Sequence, residues 1–338
     1  MWNEKILDYK LSQPSLNLVE DMKNIKGDIL ILGAGGKMGP SLALLAKNAI
    51  KEAKVNKKVI AVSRFTDPIV VNLMKENEIE TISVDLLKEG AFDSLPEVEN
   101  VIYMAGRKFG TDGQEALTWA MNAWLPTEVV KKYRNSKIVV FSSGNLYPMM
   151  PVHSGGATEK IKPSPMGDYA MSCLARERMF EYGALEYGTQ VFIYRLNYAV
   201  DLRYGVLHDL ATTILEGKVV SLNTTCFNCI WQGDANEMAI RGLLHVGTPA
   251  VKVNITGPET VSVRMVALEL GRLLGREVTF EGEEQEQAFL NNASLAMETF
   301  GYPSVSLNQL IRWQVEWIQE GGRSLGKPTH FEERKGNF

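Results

Sequence analysis

Cysteine is scarce in this chain: Cys173, Cys226 and Cys229 are the only three among 338 residues. Three thiols cannot build a secreted disulfide framework, and they suit a reducing compartment. Two of them form the isolated CxxC of "CFNC". A zinc site would need two more ligands, and the four histidines, His153, His208, His245 and His330, show no matching spacing, so no metal is expected. There is no excess of positive charge either. The formal net charge is −4, which gives no global field to hold DNA or another polyanion. The opening "MWNEKILDYKLSQPSLNLVEDMKN" has acidic residues throughout and lacks the long apolar run of a signal peptide or membrane span, from which a cytoplasmic protein is expected. No internal repeat or low-complexity segment is present.

With 45% hydrophobic and 22% charged residues, the composition is that of a globular protein, long enough for one large domain or a core domain with a smaller companion. After a polar N-terminal extension (1–26), short β-branched runs alternate with helical patterns. The runs are "DILILGA", "KVIAVS", "TISVD", "NVIYMAG", "KIVVFSS" and "QVFIYRL". Six strands in βα order predict an α/β fold, a doubly wound parallel sheet, over 27–200. From about Tyr198 the rhythm changes, and 201–338 reads as a smaller α+β region. It has four helices, with short strands such as "VKVNITG" between them. Trp313 and Trp317 lie four residues apart on one helical face, as core packing would place them. The tail "GKPTHFEERKGNF" is polar enough to lie on the surface.

The first strand runs into "GAGGKMGPSLALLAKNAI", where Gly33, Gly36 and Gly39 flank Lys37 and Met38 and Pro40 opens a helix. A strand, a glycine turn and a helix in that order aim backbone N–H groups at a pyrophosphate, helped by the helix dipole. Glycines also serve ordinary turns, but this position after a first strand points to a dinucleotide. An NAD site ordinarily carries an acid at the end of the second strand. Here Ser63 and Arg64 stand there, a pair better suited to a 2′-phosphate, so NADP is expected with NAD as the alternative.

Together these motifs resemble the extended short-chain dehydrogenase/reductases, in particular the NAD(P)-dependent epimerase/dehydratase family that acts largely on sugars and nucleotide sugars. The resemblance runs from about Gly27 to Trp317. It implies that Asp85 and Leu86 of "VDLL" flank the adenine and that Ala105 and Gly106 of "YMAG" pass the cofactor. It also implies that Asn122 of "AMNAWLPTEVV" orders an active-site water in the proton path. Ser143 of "FSSGNLYP" falls at the catalytic serine and Tyr169 of "ATEKIKPSPMGDY" at the catalytic tyrosine. Such an enzyme oxidises, reduces or epimerises a hydroxyl of a sugar, sugar acid or nucleotide sugar, and the family commonly forms homodimers. Hydride transfer makes or consumes an alcohol, so Tyr169 would move the proton while Ser143 holds the oxygen.

The sequence departs from the pattern at one position. The family's lysine, four residues after the tyrosine, stabilises tyrosinate and grips the ribose, and here it is Cys173. Three readings follow. A cation from elsewhere, such as Arg107, Lys108 or Arg176, or the nicotinamide's own charge, takes over the electrostatics. Alternatively Cys173 is itself an acid/base group, its pKa lowered by neighbouring cations. Or the site binds NADP(H) without turnover, as a regulator or sensor. On the substrate side, "AGRKFGTDG", the Ser143–Tyr169 loop and the residues after strand six are expected to meet the ligand. There "RLNYAVDL" carries Asp201 and Leu202 where the family has Gly-Pro. Arg203, Arg241 and Arg264 could hold a phosphate or carboxylate but read more simply as surface residues.

Overall fold

In the computed structural model, which describes residues 1–108, 113–327, 329–334 and 336, seven parallel strands form one sheet. They are β1 (Ile29–Leu32), β2 (Val59–Ser63), β3 (Glu80–Ser83), β4 (Asn100–Tyr103), β5 (Lys137–Ser143), β6 (Gln190–Leu196) and β7 (Val251–Ile255). Their spatial order is β7-β6-β5-β4-β1-β2-β3. The central strands are buried on both faces, which is why their sequences are unbroken apolar runs rather than alternating ones. The order reverses between β1 and β4. The carboxyl ends of those two strands therefore part to leave a crevice, the usual ligand position in such sheets.

One face of the sheet is covered by α3 (Gly39–Ala53), with α2 (Leu16–Asn24) and α9 (Gln232–Arg241) packed against it. The other face is covered by α6 (Leu125–Lys132) and the 21-residue α7 (Gly167–Tyr187). Glycines bound α7 at both ends: Gly167 (φ +75°) starts it and Gly188 (φ +70°) ends it in the left-handed region. A second core joins α1 (Glu4–Leu11), α8 (Val206–Leu215), α10 (Val263–Leu274) and α12 (Leu307–Gln319). Trp317 is buried within it, while Trp313 stacks edge-on against Trp2 and Trp231.

Several expectations need correction. The strand of "VKVNITG", expected as a short strand of the smaller α+β region, pairs with β6 and closes the main sheet's edge. Its β-branched alternation fits that half-covered position. The tail does not lie wholly on the surface. Phe331 is buried against Phe227, and Thr329 donates from both its N–H and its hydroxyl to Asp209 Oδ2 (2.8 and 2.6 Å). One apolar ring in a polar stretch suffices to anchor it. Arg203 and Arg241 are only 12% exposed. They bind carboxylates of the N-terminal helices: Arg203 binds Glu4, Asp8 and also Asp201, and Arg241 binds Asp21. The N-terminal residues are thus clamped to the body by ion pairs as well as by buried Leu7, Leu11, Leu18 and Met22. Cys226 and Cys229 are buried free thiols, Cys229 in the second core and Cys226 beside Ala288 and Leu290.

A buried ion pair ties the sheet to α7. Glu177 and Arg195 are 0% and 1% exposed, and Arg195 donates from Nε and Nη2 to the two carboxylate oxygens (2.9 and 2.6 Å). Ser142 donates to Glu177 Oε1 (2.6 Å), and Arg195 Nη1 donates to the Tyr147 hydroxyl (2.5 Å). Tyr147 in turn donates to Asn254 Oδ1 on β7 (2.8 Å). Removing one member leaves a buried uncompensated charge, a loss of about 3–5 kcal/mol. Glu177→Ala is therefore expected to lower the unfolding free energy by that amount in a urea titration followed by tryptophan fluorescence. The paired replacement Glu177→Leu with Arg195→Leu should lose much less. Equal losses in the single and double variants would show that packing, not charge, sets the cost.

Candidate active site

The glycine turn follows directly from β1. Gly33 has φ +93°, and a Cβ there would lie 2.5 Å from Ala105 N, so the ends of β1 and β4 approach only because the residue is glycine. At Gly39 a Cβ would lie 2.1 Å from Ala34 O, which lets α3 begin tight against the strand. Gly36 differs: the nearest atom to its Cβ position is Gly33 O at 3.5 Å, so its bare backbone faces open space. The α3 N-terminus has Pro40 in its first turn and no side-chain cap, leaving its amide end available to an anion.

A cavity opens above this turn, bordered by Gly33, Gly36, Ser63, Arg64, Asp85 and Leu86 on one side and by Ala105 and Gly106 on the other. The sequence thus indicated half of the lining. It missed Gly35, whose Cβ would meet Ser63 Oγ at 2.5 Å, and also Phe65, Met104 and Met121. Gly35 stood in the quoted motif, whereas nothing in the local pattern marks Phe65, which turns into the cleft with φ +43°. Among the described residues the Arg64 side chain makes no ion pair, and Asp85 Oδ1 accepts from Leu87 N (3.2 Å). Lys37, Met38 and Gly39 do not line this cavity. Gly39 is buried in α3, Met38 packs on the core, and Lys37 places its ammonium 3.3 Å from the centre of the Tyr204 ring. Burial, with Lys108 and Lys327 nearby, brings Lys37 down to about 7.

A nicotinamide dinucleotide fits this set of residues. Bare glycine backbone and an uncapped helix end suit a pyrophosphate, and a hydroxyl with a guanidinium at the β2 end suits the ribose side.

Farther along the crevice, Ser143 ends β5 and Tyr169 and Cys173 lie one turn apart on α7. Ser143 and Cys173 both lie close enough to Tyr169 to shift its ionisation, so the structure brings the three together. Burial pushes the Tyr169 phenol well above its usual value. Cys173 raises it further, while Ser143 and the charge of Arg176 pull it down. Cys173 is fully buried, and burial raises its thiol too, outweighing Arg176. Against the reading of Cys173 as a thiol activated by neighbouring cations, desolvation is the larger effect here.

Asn122 sits in a π-helical turn, Ala120–Trp124, between α5 (Glu115–Trp119) and α6. Its amide is fully used. Oδ1 accepts from Arg107 N (2.9 Å) and Arg176 Nη2 (2.6 Å), and Nδ2 donates to Arg107 O (2.8 Å) and Ser172 Oγ (3.0 Å). The side chain thus clamps the segment after β4 onto α7. Arg176 also donates to Phe141 O (2.7 Å) and lies over the Tyr103 ring.

Lys108 was one of three candidate cations in the sequence, and its ammonium stands 5.7 Å from the centre of the Tyr169 ring. Arg107 instead donates from Nη2 to Gln114 Oε1 (2.7 Å). Of the expected substrate-side segment, 109–112 lie outside the described residues. Arg264 is paired with Glu284, and Arg203 and Arg241 with the carboxylates already named, so none of the three guanidiniums is presented to the crevice as an unpaired charge.

Known proteins agree with this architecture. UDP-glucuronic acid 4-epimerase from Bacillus cereus, in complex with NAD, superposes with a TM-score of 0.70 at 19% identity, over 87% of this chain and 99% of that one. UDP-glucose 4-epimerase from Thermotoga maritima gives 0.69 at 18% identity, over 87% and 99%. dTDP-glucose 4,6-dehydratase from Bacillus anthracis, in complex with NAD, gives 0.71 at 18%, over 87% and 97%. At these identities the likeness is one of fold. No curated protein matches the chain in sequence. Among the described residues no helix is long and apolar enough to cross a membrane. The family model for NAD dependent epimerases and dehydratases matches residues 29–246, from the first strand through the glycine turn, Ser143 and Tyr169, and by that match the chain belongs to the NAD dependent epimerase/dehydratase family.

Proposed function

We propose that the protein is an NAD(P)-dependent enzyme acting on a hydroxyl or keto group of a sugar-like substrate, of the nucleotide-sugar class on which the similar structures act. The observation that carries the reading is the clustering of Ser143 and Cys173 around the Tyr169 side chain, beyond the same strand ends as the glycine cleft. A chain that only bound a dinucleotide would not need a serine and a tyrosine brought together there.

The bound dinucleotide would supply the hydride acceptor or donor. Gly33, Gly36 and the α3 N-terminus would hold its pyrophosphate, Ser63 and Arg64 its 2′ side, and Asp85 and Leu86 its adenine end. In oxidation the carbinol C–H leaves as hydride and the O–H proton passes to the ionised form of Tyr169, giving the ketone and the neutral phenol. Ser143 hydrogen-bonds the same oxygen throughout. Reduction reverses both transfers. Because Tyr169 is held protonated far above neutrality, it serves as the proton donor in reduction without prior ionisation.

Arg64 favours NADP over NAD, since a guanidinium offers a 2′-phosphate charge and several donors.

Two outcomes test this. Tyr169→Phe should lower turnover of a sugar, sugar acid or nucleotide sugar by about 100-fold or more, followed by nicotinamide absorbance and by substrate mass and NMR, while dinucleotide binding by fluorescence stays intact. Wild-type binding with no change in any substrate would instead favour a regulator. Arg64→Ala should weaken NADPH binding by about 10- to 100-fold and NADH by less than about threefold, as expected for loss of one charge-assisted contact. Equal loss for both cofactors would assign Arg64 to the adenine rather than the phosphate.

A further inference from the structure

The family's tyrosine works beside an ammonium, and α7 here carries none within a turn of Tyr169. Building on the function proposed above, we propose that Lys108 is the catalytic cation: it approaches Tyr169 from the loop after β4 and replaces the missing lysine from a different element of the fold.

Three observations carry this. The Lys108 ammonium lies 5.7 Å from the Tyr169 ring centre. Lys108 also lies within electrostatic reach of Cys173, the position from which the family's lysine would start. The adjoining backbone is also fixed, because Asn122 grips both the N–H and the C=O of Arg107 and is itself bonded to Ser172, the neighbour of Cys173. An ammonium on a loop is a weak catalyst if the loop wanders. Here the loop is fastened to the helix that carries the tyrosine.

The other charged and titratable groups around Tyr169 do not take this role. On α7, Arg176 is committed to Asn122 and Phe141 and lends a constant positive background from behind. Glu177 is neutralised by Arg195. Tyr103 on β4 is held protonated by burial, and Cys173 is held as a thiol in the same way. Lys37, on the glycine turn, lies close enough to repel Lys108, and the charge of either one disfavours that of the other.

Burial lowers Lys108 to about 8, so it is charged at neutral pH and loses its charge as pH rises through that value. An ammonium in that position stabilises the phenolate left when Tyr169 gives its proton to the substrate oxygen. Reduction should therefore be fastest below pH 8 and fall above it.

The test has one arm that needs no turnover. In protein whose lysines carry ¹³C-methyl groups, the NMR signal missing from Lys108→Met should titrate near 8, and Cys173→Asp should move it upward by placing a carboxylate beside the amine. A signal indifferent to Cys173→Asp would overturn the proposal, even if no sugar is turned over. The kinetic arm uses the keto substrate found in the panel. Lys108→Met should lower kcat by about 100-fold and abolish the fall above pH 8, while Lys108→Arg should keep most of the rate and carry it flat past pH 8. A Lys108→Met enzyme with unchanged kcat and pH profile would also overturn it.

Discussion

The arrangement of this site depends on one buried ion pair. Arg195 projects from β6 into a region that water does not reach, and Glu177 on α7 answers its charge with both carboxylate oxygens. A charge so placed cannot be left unpaired, so α7 cannot slide along the sheet or rotate without a large penalty. Ser142 joins the same carboxylate, and its neighbour Ser143 faces the crevice. Eight residues before Glu177 on the helix stands Tyr169. The pair thus fixes the register between the strand that carries the serine and the helix that carries the tyrosine. Tyr147 and Asn254 extend the lock to β7, so residues more than a hundred positions apart in the chain position one another.

Given that scaffold, the same low-polarity environment acts in opposite directions on neighbouring groups. It raises Tyr169 and Cys173, which ionise to anions, and lowers Lys108 and Lys37, which ionise to cations. A proton is thus held firmly by the phenol and loosely by the amine. That is the state an acid needs when it donates to a developing alkoxide beside a cation that is still charged at neutral pH. Arg176, which does not titrate in this range, keeps the background positive and prevents the phenol from becoming still harder to ionise.

Much of this was legible in the sequence where the signal is local. β-branched runs named six of the seven strands, and the glycine spacing named the turn, because a tight approach of backbone to backbone excludes any side chain at Gly33 and Gly39. Tyr169 and Ser143 were expected from the family resemblance. What stayed hidden depends on contacts between distant residues. Nothing near Arg195 announces Glu177, nothing near Arg203 announces Glu4 and Asp8, and a single phenylalanine in a polar tail does not reveal that Phe227 waits for it. Asn122 was expected as a site residue from the family resemblance, but its four bonds, which make it a clamp, run to two distant segments, Arg107 after β4 and Ser172 with Arg176 on α7.

Cys173 shows how a position can lose its charge while the site keeps one. A lysine there would have to leave a fully buried position on α7 and share the crevice with Lys108, with Arg176 close behind. Three cations around one phenol repel one another, and in a poorly solvated cleft that repulsion is large enough to strip a proton from the weakest. A small neutral thiol removes the conflict and suits the buried position. The ammonium at Lys108 and the thiol at Cys173 are then two halves of one arrangement: the charge enters from the β4 loop because the helix no longer supplies it, and the helix can carry a thiol because the loop is pinned by Asn122.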